Sequence, residues 1–239
     1  MPMIDLSHTL KTDMQVCPCD RRPRFEQYAS IDREGVNVKL FTMGTHTGAH
    51  IDAPCHGRKG GKQLNDFPLE RFVGEGVLVD LTGKPPRYEI QPGDLADYAK
   101  EVRPGNFLIL DTGWDIHFGT PRFFEHPYFS KAAAELVASW GVSLVAVDGS
   151  SVDGAYGFAA VPNDPSITFE QALTYMEHDD VKNDAHGVFF AHDMLIVEYL
   201  NNLEKVPRGR GYFSFLPLRI EEADGSPIRA VYLGERPFL

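Results

Sequence analysis

The chain has 239 residues, of which 43% are hydrophobic and 24% charged, the balance of an ordinary globular protein able to bury its own core. A net charge of −11 argues against nucleic acid and anionic membrane as partners, because both require basic surface. Three cysteines (Cys17, Cys19, Cys55) make no disulfide framework, no apolar run reaches the roughly 18 residues of a membrane span, and residues 1–14 lack the basic start and apolar stretch of a signal peptide, so the expected location is the cytoplasm.

Residues 3–8 (MIDLSH) read as an opening strand, and 15–23 as a loop broken by Pro18 and Pro23. Residues 36–43 alternate and carry β-branched side chains, which predicts a strand running into a histidine-rich stretch. Residues 69–81 read as a turn of helix followed by a buried strand from Val77 to Leu81, 93–100 as a short helix capped by Asp94, and 106–113 as a buried strand. Residues 131–141 (KAAAELVASWG) have the apolar spacing of a helix stopped by Gly141; a strand at 142–148 and a helix at 167–178 follow. Residues 194–200, 213–220 and 228–234 complete the strands. With no repeat and no linker, the pattern predicts one α/β domain over residues 1–239, its mixed sheet open or closing toward a barrel.

Residues 44–56 read GTHTGAHIDAPCH, with His46, His50, Asp52 and His56 all at even positions. A helix would turn Asp52 away from His46 and His50, and Gly48 and Pro54 oppose one. An extended chain puts the even positions on one face but, at about 3.3 Å per residue, leaves His46 and Asp52 about 20 Å apart. The chain must therefore bend, and Gly44 and Gly48 are the residues free to do it. Imidazole and carboxylate together suit Zn²⁺, Mn²⁺ or Fe²⁺ better than the all-oxygen shells of Ca²⁺ and Mg²⁺. The stretch is thus expected to hold a divalent metal.

HTGAHIDAPCH (46–56) resembles the HxGTHxDxPxH signature of the cyclase-like metal-dependent hydrolases that include bacterial kynurenine formamidase and isatin hydrolase. The likeness extends to IDLSHTL (4–10), GVSLVAVDGSSVD (141–153), HGVFFAHDMLIVE (186–198) and FLPLRIEEADGSPIRAV (215–231). It implies a swivelling β/β/α fold, usually assembled as a homodimer. It also implies a first ion held by His46, His50 and Asp52, and a second held by Asp52, His186 and Glu198, with Glu198 shared. His56 would donate and accept the proton while water activated by the metal attacks an amide or ester carbonyl. Zinc is the expected metal, one ion or two, with manganese the alternative.

Two departures accompany the likeness. Ala49 stands where the family has threonine, and VCPCD (16–20) stands where kynurenine formamidases read VWPGD, placing Cys17 at the position of their substrate-stacking tryptophan. The expected substrate-binding residues are accordingly Cys17 and, from the aromatic insert 114–130, Trp114; Ser151 and Asp153 are expected to orient ligands. His8 reads as a structural hydrogen-bonding residue, His117 and His126 as solvated loop histidines, and His192 as a reserve ligand sharing the face of Glu198. The expected activity is hydrolysis of a formamide, lactam or lactone of a small molecule, aromatic or not. The alternatives are a lyase or cyclase using the same site, and a metal-binding protein without catalysis.

Overall fold

A computed structural model describes residues 3–18, 20–162, 164, 166–176 and 184–235. Thirteen strands are defined among them: β1 (Ile4–Asp5), β2 (Arg24–Ala29), β3 (Val38–Thr42), β4 (His50–Asp52), β5 (Val73–Asp80), β6 (Glu89–Ile90), β7 (Phe107–Asp111), β8 (Tyr128–Phe129), β9 (Leu144–Val147), β10 (Leu195–Glu198), β11 (Gly209–Ser214), β12 (Gly225–Pro227) and β13 (Val231–Gly234). The helices are α1 (Ile31–Glu34), α2 (Pro92–Leu95), α3 (Lys131–Ser139), α4 (Phe169–Met176) and α5 (Asp184–Ala191), separated by short 3₁₀ turns.

Nine strands form one sheet in the order β1-β13-β11-β5-β7-β9-β10-β4-β12. Its centre, β5-β7-β9-β10, is parallel, and both flanks are antiparallel. The parallel strands are continuous apolar runs because both their faces are covered. One face (Val79, Leu108, Val145, Ile196) packs under α3 and α5 through Ala134, Val137 and Phe189. The other (Ile51, Leu78, Ile109, Ala146, Val197, Phe213) packs against the curled flanks of the sheet itself. The curl nearly brings the ends together: beyond β1, Ser7 bridges Leu200 after β10, and Asn201 N–H donates to Leu6 C=O at 2.9 Å. The mixed, partly barrel-like α/β sheet expected from the sequence is therefore present.

Local corrections have local causes. The short helix α2 is capped by Gln91, with Asp94 at its third position accepting the Gln91 N–H at 2.8 Å. The expected strand 213–220 starts earlier and ends at Ser214. Its continuation carries Pro217, which has no N–H for a ladder, and leaves Leu216 and Leu218 exposed. Strand β3 pairs with β2, which the sequence did not suggest, in a separate hairpin whose β3 residues are all exposed. Helix α5 is buried through Ala185, Phe189 and Phe190, which leaves no polar stripe for periodicity to detect.

Candidate metal centre

Strand β4 lies between β10 and β12, and its register decides the site. His50 and Asp52, two residues apart, share a face, and Glu198 on β10 pairs directly with His50. Alternation carries no further than this pair. His46 reaches the same point from the turn before β4, where Gly48 is left-handed (φ 65°), and His56 ends the 3₁₀ turn Pro54–His56. A Cβ on Gly48 would also lie 2.7 Å from Leu10 Cδ2, so the bend requires glycine twice over. His186 arrives from the first turn of α5.

These side chains converge. Asp52 Oδ1 lies 2.6 Å from His46 Nδ1 and 3.4 Å from His50 Nε2, while Oδ2 lies 3.8 Å from His186 Nε2. Glu198 repeats the pattern, with Oε2 3.5 Å from His50 Nε2 and Oε1 3.6 Å from His186 Nε2. Both Asp52 oxygens are buried and accept no well-aligned hydrogen bond, an expensive condition for a carboxylate without a cation. Donors bound to one zinc at about 2.0–2.1 Å in a tetrahedron lie about 3.4 Å from each other. Four of the five separations fall near that edge, and the fifth is shorter. His46, His50 and Asp52 form one candidate group, and Asp52, His186 and Glu198 form another. The donor set fits a divalent metal, and Asp52 belongs to both groups.

The electrostatics agree. Burial disfavours charge on His46, yet Asp52 and Asp224 override it and push its pKa up to about 11. His50 is raised against the same burial by Asp52 and Glu198, and His186 by Asp153 and Asp52. Burial opposes the charge of Asp52, but His50 and His46 hold its pKa well below the usual carboxylate range. The carboxylates thus favour positive charge among these imidazoles, which is the charge a bound cation would supply.

Asp153 is buried, with Oδ2 2.7 Å from His186 Nδ1, and its own N–H donates to Ser151 Oγ at 3.1 Å. Both residues therefore stand behind the His186 ring. Cys17 lines a cavity of about 920 Å³ together with Asp20, Arg22, Met43, Phe124 and Val161. Asp20 joins this cavity to the centre: burial raises its pKa against the opposing pull of His46, His50 and His56. Cys19 falls outside the described residues.

Trp114 does not line the cavity. It is buried in an aromatic cluster with Phe123, Phe124 and Tyr199, its Nε1–H donating to Arg122 C=O. His192 is exposed in the turn after α5 and belongs to neither group, because the chain reverses at 192–193 before β10 begins and does not run extended from His192 to Glu198. His126 is buried rather than solvated, with Nε2 2.9 Å from Ser150 Oγ. His8 stacks on Phe118, and its buried Nε2 has no hydrogen bond. The sequence reading missed Asp224, whose Oδ2 lies 3.0 Å from His46 Nε2 and 3.3 Å from His56 Nδ1. Asp224 lies inside the stretch 215–231 that carries the family likeness, but neither that stretch nor its Asp-Gly pair tells of distant histidines.

The cyclase family model matches residues 4–154. The kynurenine formamidase of Maricaulis maris (strain MCS10) is 32% identical over 235 residues, covering 96% of each chain, and that of Bacillus mycoides (strain KBAB4) is 30% identical over 230 residues, covering 95% of each. Among solved structures, isatin hydrolase A from Labrenzia aggregata, bound to benzyl benzoate, superposes with a TM-score of 0.80 at 21% identity, over 98% of this chain and 94% of that one. The fold, the convergent imidazoles and carboxylates, and these matches along nearly the whole length agree: the chain belongs to the cyclase family.

Proposed function

We propose that this chain is a metal-dependent hydrolase that cleaves an amide bond, a formamide or lactam, or a lactone in a small aromatic molecule. The observation that carries the reading is Asp52, whose two buried oxygens, free of well-aligned hydrogen bonds, each face a different imidazole set. The relatives reported above are kynurenine formamidases by name, which supports an amide of a small aromatic molecule as substrate class.

In this reading His46, His50, Asp52, His186 and Glu198 hold one or two cations, zinc by preference for its nitrogen and oxygen donors and manganese as the alternative. When bound, such a cation supplies Lewis-acid polarisation of a carbonyl and a lowered pKa for water. The chain's own residues do the rest. Asp153, with Ser151 behind it, holds the His186 ring, and the Gly48 C=O accepts from His50 Nδ1 at 2.8 Å, which turns Nε2 of each ring inward. His56, 39% exposed at the mouth, carries the proton. With its Nδ1 held by Asp224, Nε2 is the nitrogen that takes a proton from the attacking water and returns it to the leaving nitrogen or oxygen. The cavity wall containing Cys17 and Phe124 receives the ring, and Trp114 supports that wall from within the aromatic cluster.

The same proposal takes residues 1–239 as one catalytic domain acting on a small molecule in the cytoplasm. Among the described residues no helix is long and apolar enough to cross a membrane. It also takes the protein as a homodimer or higher homo-oligomer. Tyr28, Leu40 and Phe41 are exposed on the β2–β3 hairpin, and a lone two-stranded hairpin is marginal without a packing partner.

The test is metal analysis of the purified protein with turnover of aryl formamides, lactams and lactones in ¹⁸O-water, before and after chelation. Hydrolysis that incorporates solvent oxygen, disappears on chelation and returns with zinc or manganese is the expected result. Activity indifferent to chelator would defeat the reading, and turnover without solvent oxygen would make the enzyme a lyase.

A further inference from the structure

Each of the three inward-facing imidazoles has one acceptor on its outer nitrogen. His50 Nδ1 donates to Gly48 C=O at 2.8 Å, His186 Nδ1 to Asp153 Oδ2 at 2.7 Å, and His46 Nε2 to Asp224 Oδ2 at 3.0 Å. The first two acceptors serve one ring each. Asp224 Oδ2 serves two, because His56 Nδ1 lies 3.3 Å from the same oxygen, and the rings of His46 and His56 are 4.0 Å apart, centroid to centroid. We propose that Asp224 is a positioning residue that sets the ring orientation and tautomer of the ligand His46 and of the proton carrier His56 at once, through a single shared oxygen. This rests on the reading of His56 given above.

The backbone places Asp224 for that task. Its C=O accepts the Ala53 N–H at 2.8 Å, and Gly225 pairs with Asp52 in the β12–β4 register, so the loop before β12 is tied to the ligand strand itself. Gly225 is part of the device. A Cβ there would lie 2.6 Å from His46 Cε1, 2.9 Å from His46 Nε2 and 3.1 Å from Ile51 C=O, so any side chain would drive the imidazole out of place. The His46 ring is thereby held between Asp52 inside, Asp224 outside and the bare α-carbon of Gly225 alongside. An ionised carboxylate only accepts, so it fixes Nε2–H on His46 and Nδ1–H on His56. With a cation in place of the second His46 proton, the lone pairs left are Nδ1 of His46, on the side of Asp52, and Nε2 of His56. Neither histidine can change its hydrogen bond without disturbing the other's acceptor, so the residues that bind the cation and move the proton are mechanically linked.

The experiment uses the zinc-loaded full chain carrying Asp224→Ala, Asp224→Glu or Gly225→Ala, each checked for native circular dichroism. Three readouts are taken: zinc affinity by chelator competition, kcat and KM on an aryl formamide, and the tautomers of ¹⁵N-labelled histidines by long-range ¹H–¹⁵N correlation. Asp224→Ala is expected to weaken zinc by roughly 10–100-fold, as loss of a ligand's outer acceptor does. It should also lower kcat with little change in KM and abolish the single Nδ1–H tautomer of His56, with Asp224→Glu restoring part of each. Gly225→Ala should weaken zinc while leaving the His56 tautomer signal in place. Unchanged His46 and His56 tautomers with unchanged zinc affinity in Asp224→Ala would overturn the proposal. If His56→Ala proved fully active, the reading of His56 would fail instead, and the tautomer and affinity measurements would still decide whether Asp224 orients the two rings.

Discussion

Asp153 holds His186 at two points and its neighbour at a third: its carboxylate accepts the His186 N–H at 3.2 Å, the His186 Nδ1 proton at 2.7 Å and the Ala185 N–H at 2.7 Å. The residue thus caps α5 and aims its first histidine with one side chain. Asp153→Ala should leave cation binding at His46 and His50 intact and weaken the His186 position by roughly 10–100-fold. Metal titration of the purified variant would reveal it as loss of one binding class; two undisturbed classes would remove Asp153 from that role.

Asp52 faces both imidazole sets, so Asp52→Ala should empty both cation positions. In the wild type, a free cation at about 100 times its dissociation constant stabilises the fold by about 2.7 kcal/mol, which a thermal melt resolves. The variant's melting temperature should not respond to zinc or manganese. His50→Ala should behave similarly for the position His50 shares with His46.

His56 lies at the mouth, outside both cation groups that contain Asp52. His56→Ala should keep its metal content and lose roughly 10²–10⁴-fold in kcat, the range for a positioned proton carrier. Steady-state kinetics with metal analysis on the same preparation would check this, and unchanged turnover would exclude His56 from the reaction.

Asp148 gives the pH prediction. It is fully buried, which pushes its pKa up to about 7 even though its oxygens accept from Thr112 N–H, Thr112 Oγ1–H and Trp114 N–H. Between about pH 4 and about 7 the folded state therefore keeps a proton that the unfolded chain has released. Its stabilising contribution is full below pH 4 and is lost as pH rises toward 7, on the order of a few kcal/mol. Asp148→Asn preserves the shape, with Thr112 Oγ1 now accepting from the amide. Urea unfolding from pH 5 to pH 8 should show the variant gaining on the wild type as pH rises, and parallel curves would contradict the assignment.

The sequence by itself determined the secondary elements with strong internal patterns and the donor types of the site. The apolar runs at 106–113, 142–148 and 194–200 became β7, β9 and β10 because strands buried on both faces need nothing but hydrophobicity. Helix α3 followed from its periodicity, its Ser130 cap and Gly141 at φ 72°. His46, His50, Asp52 and His56 were legible as ligand chemistry because they crowd into eleven residues, and His186 and Glu198 through family likeness alone. Only the tertiary structure decided how they meet. Strand register put Glu198 opposite His50, a helix cap aimed His186, and a loop more than 160 residues away brought Asp224 between His46 and His56. Periodicity reports which way a side chain points along its own element. It cannot report which distant element will lie across from it, because that depends on how the whole sheet curls to cover its apolar faces.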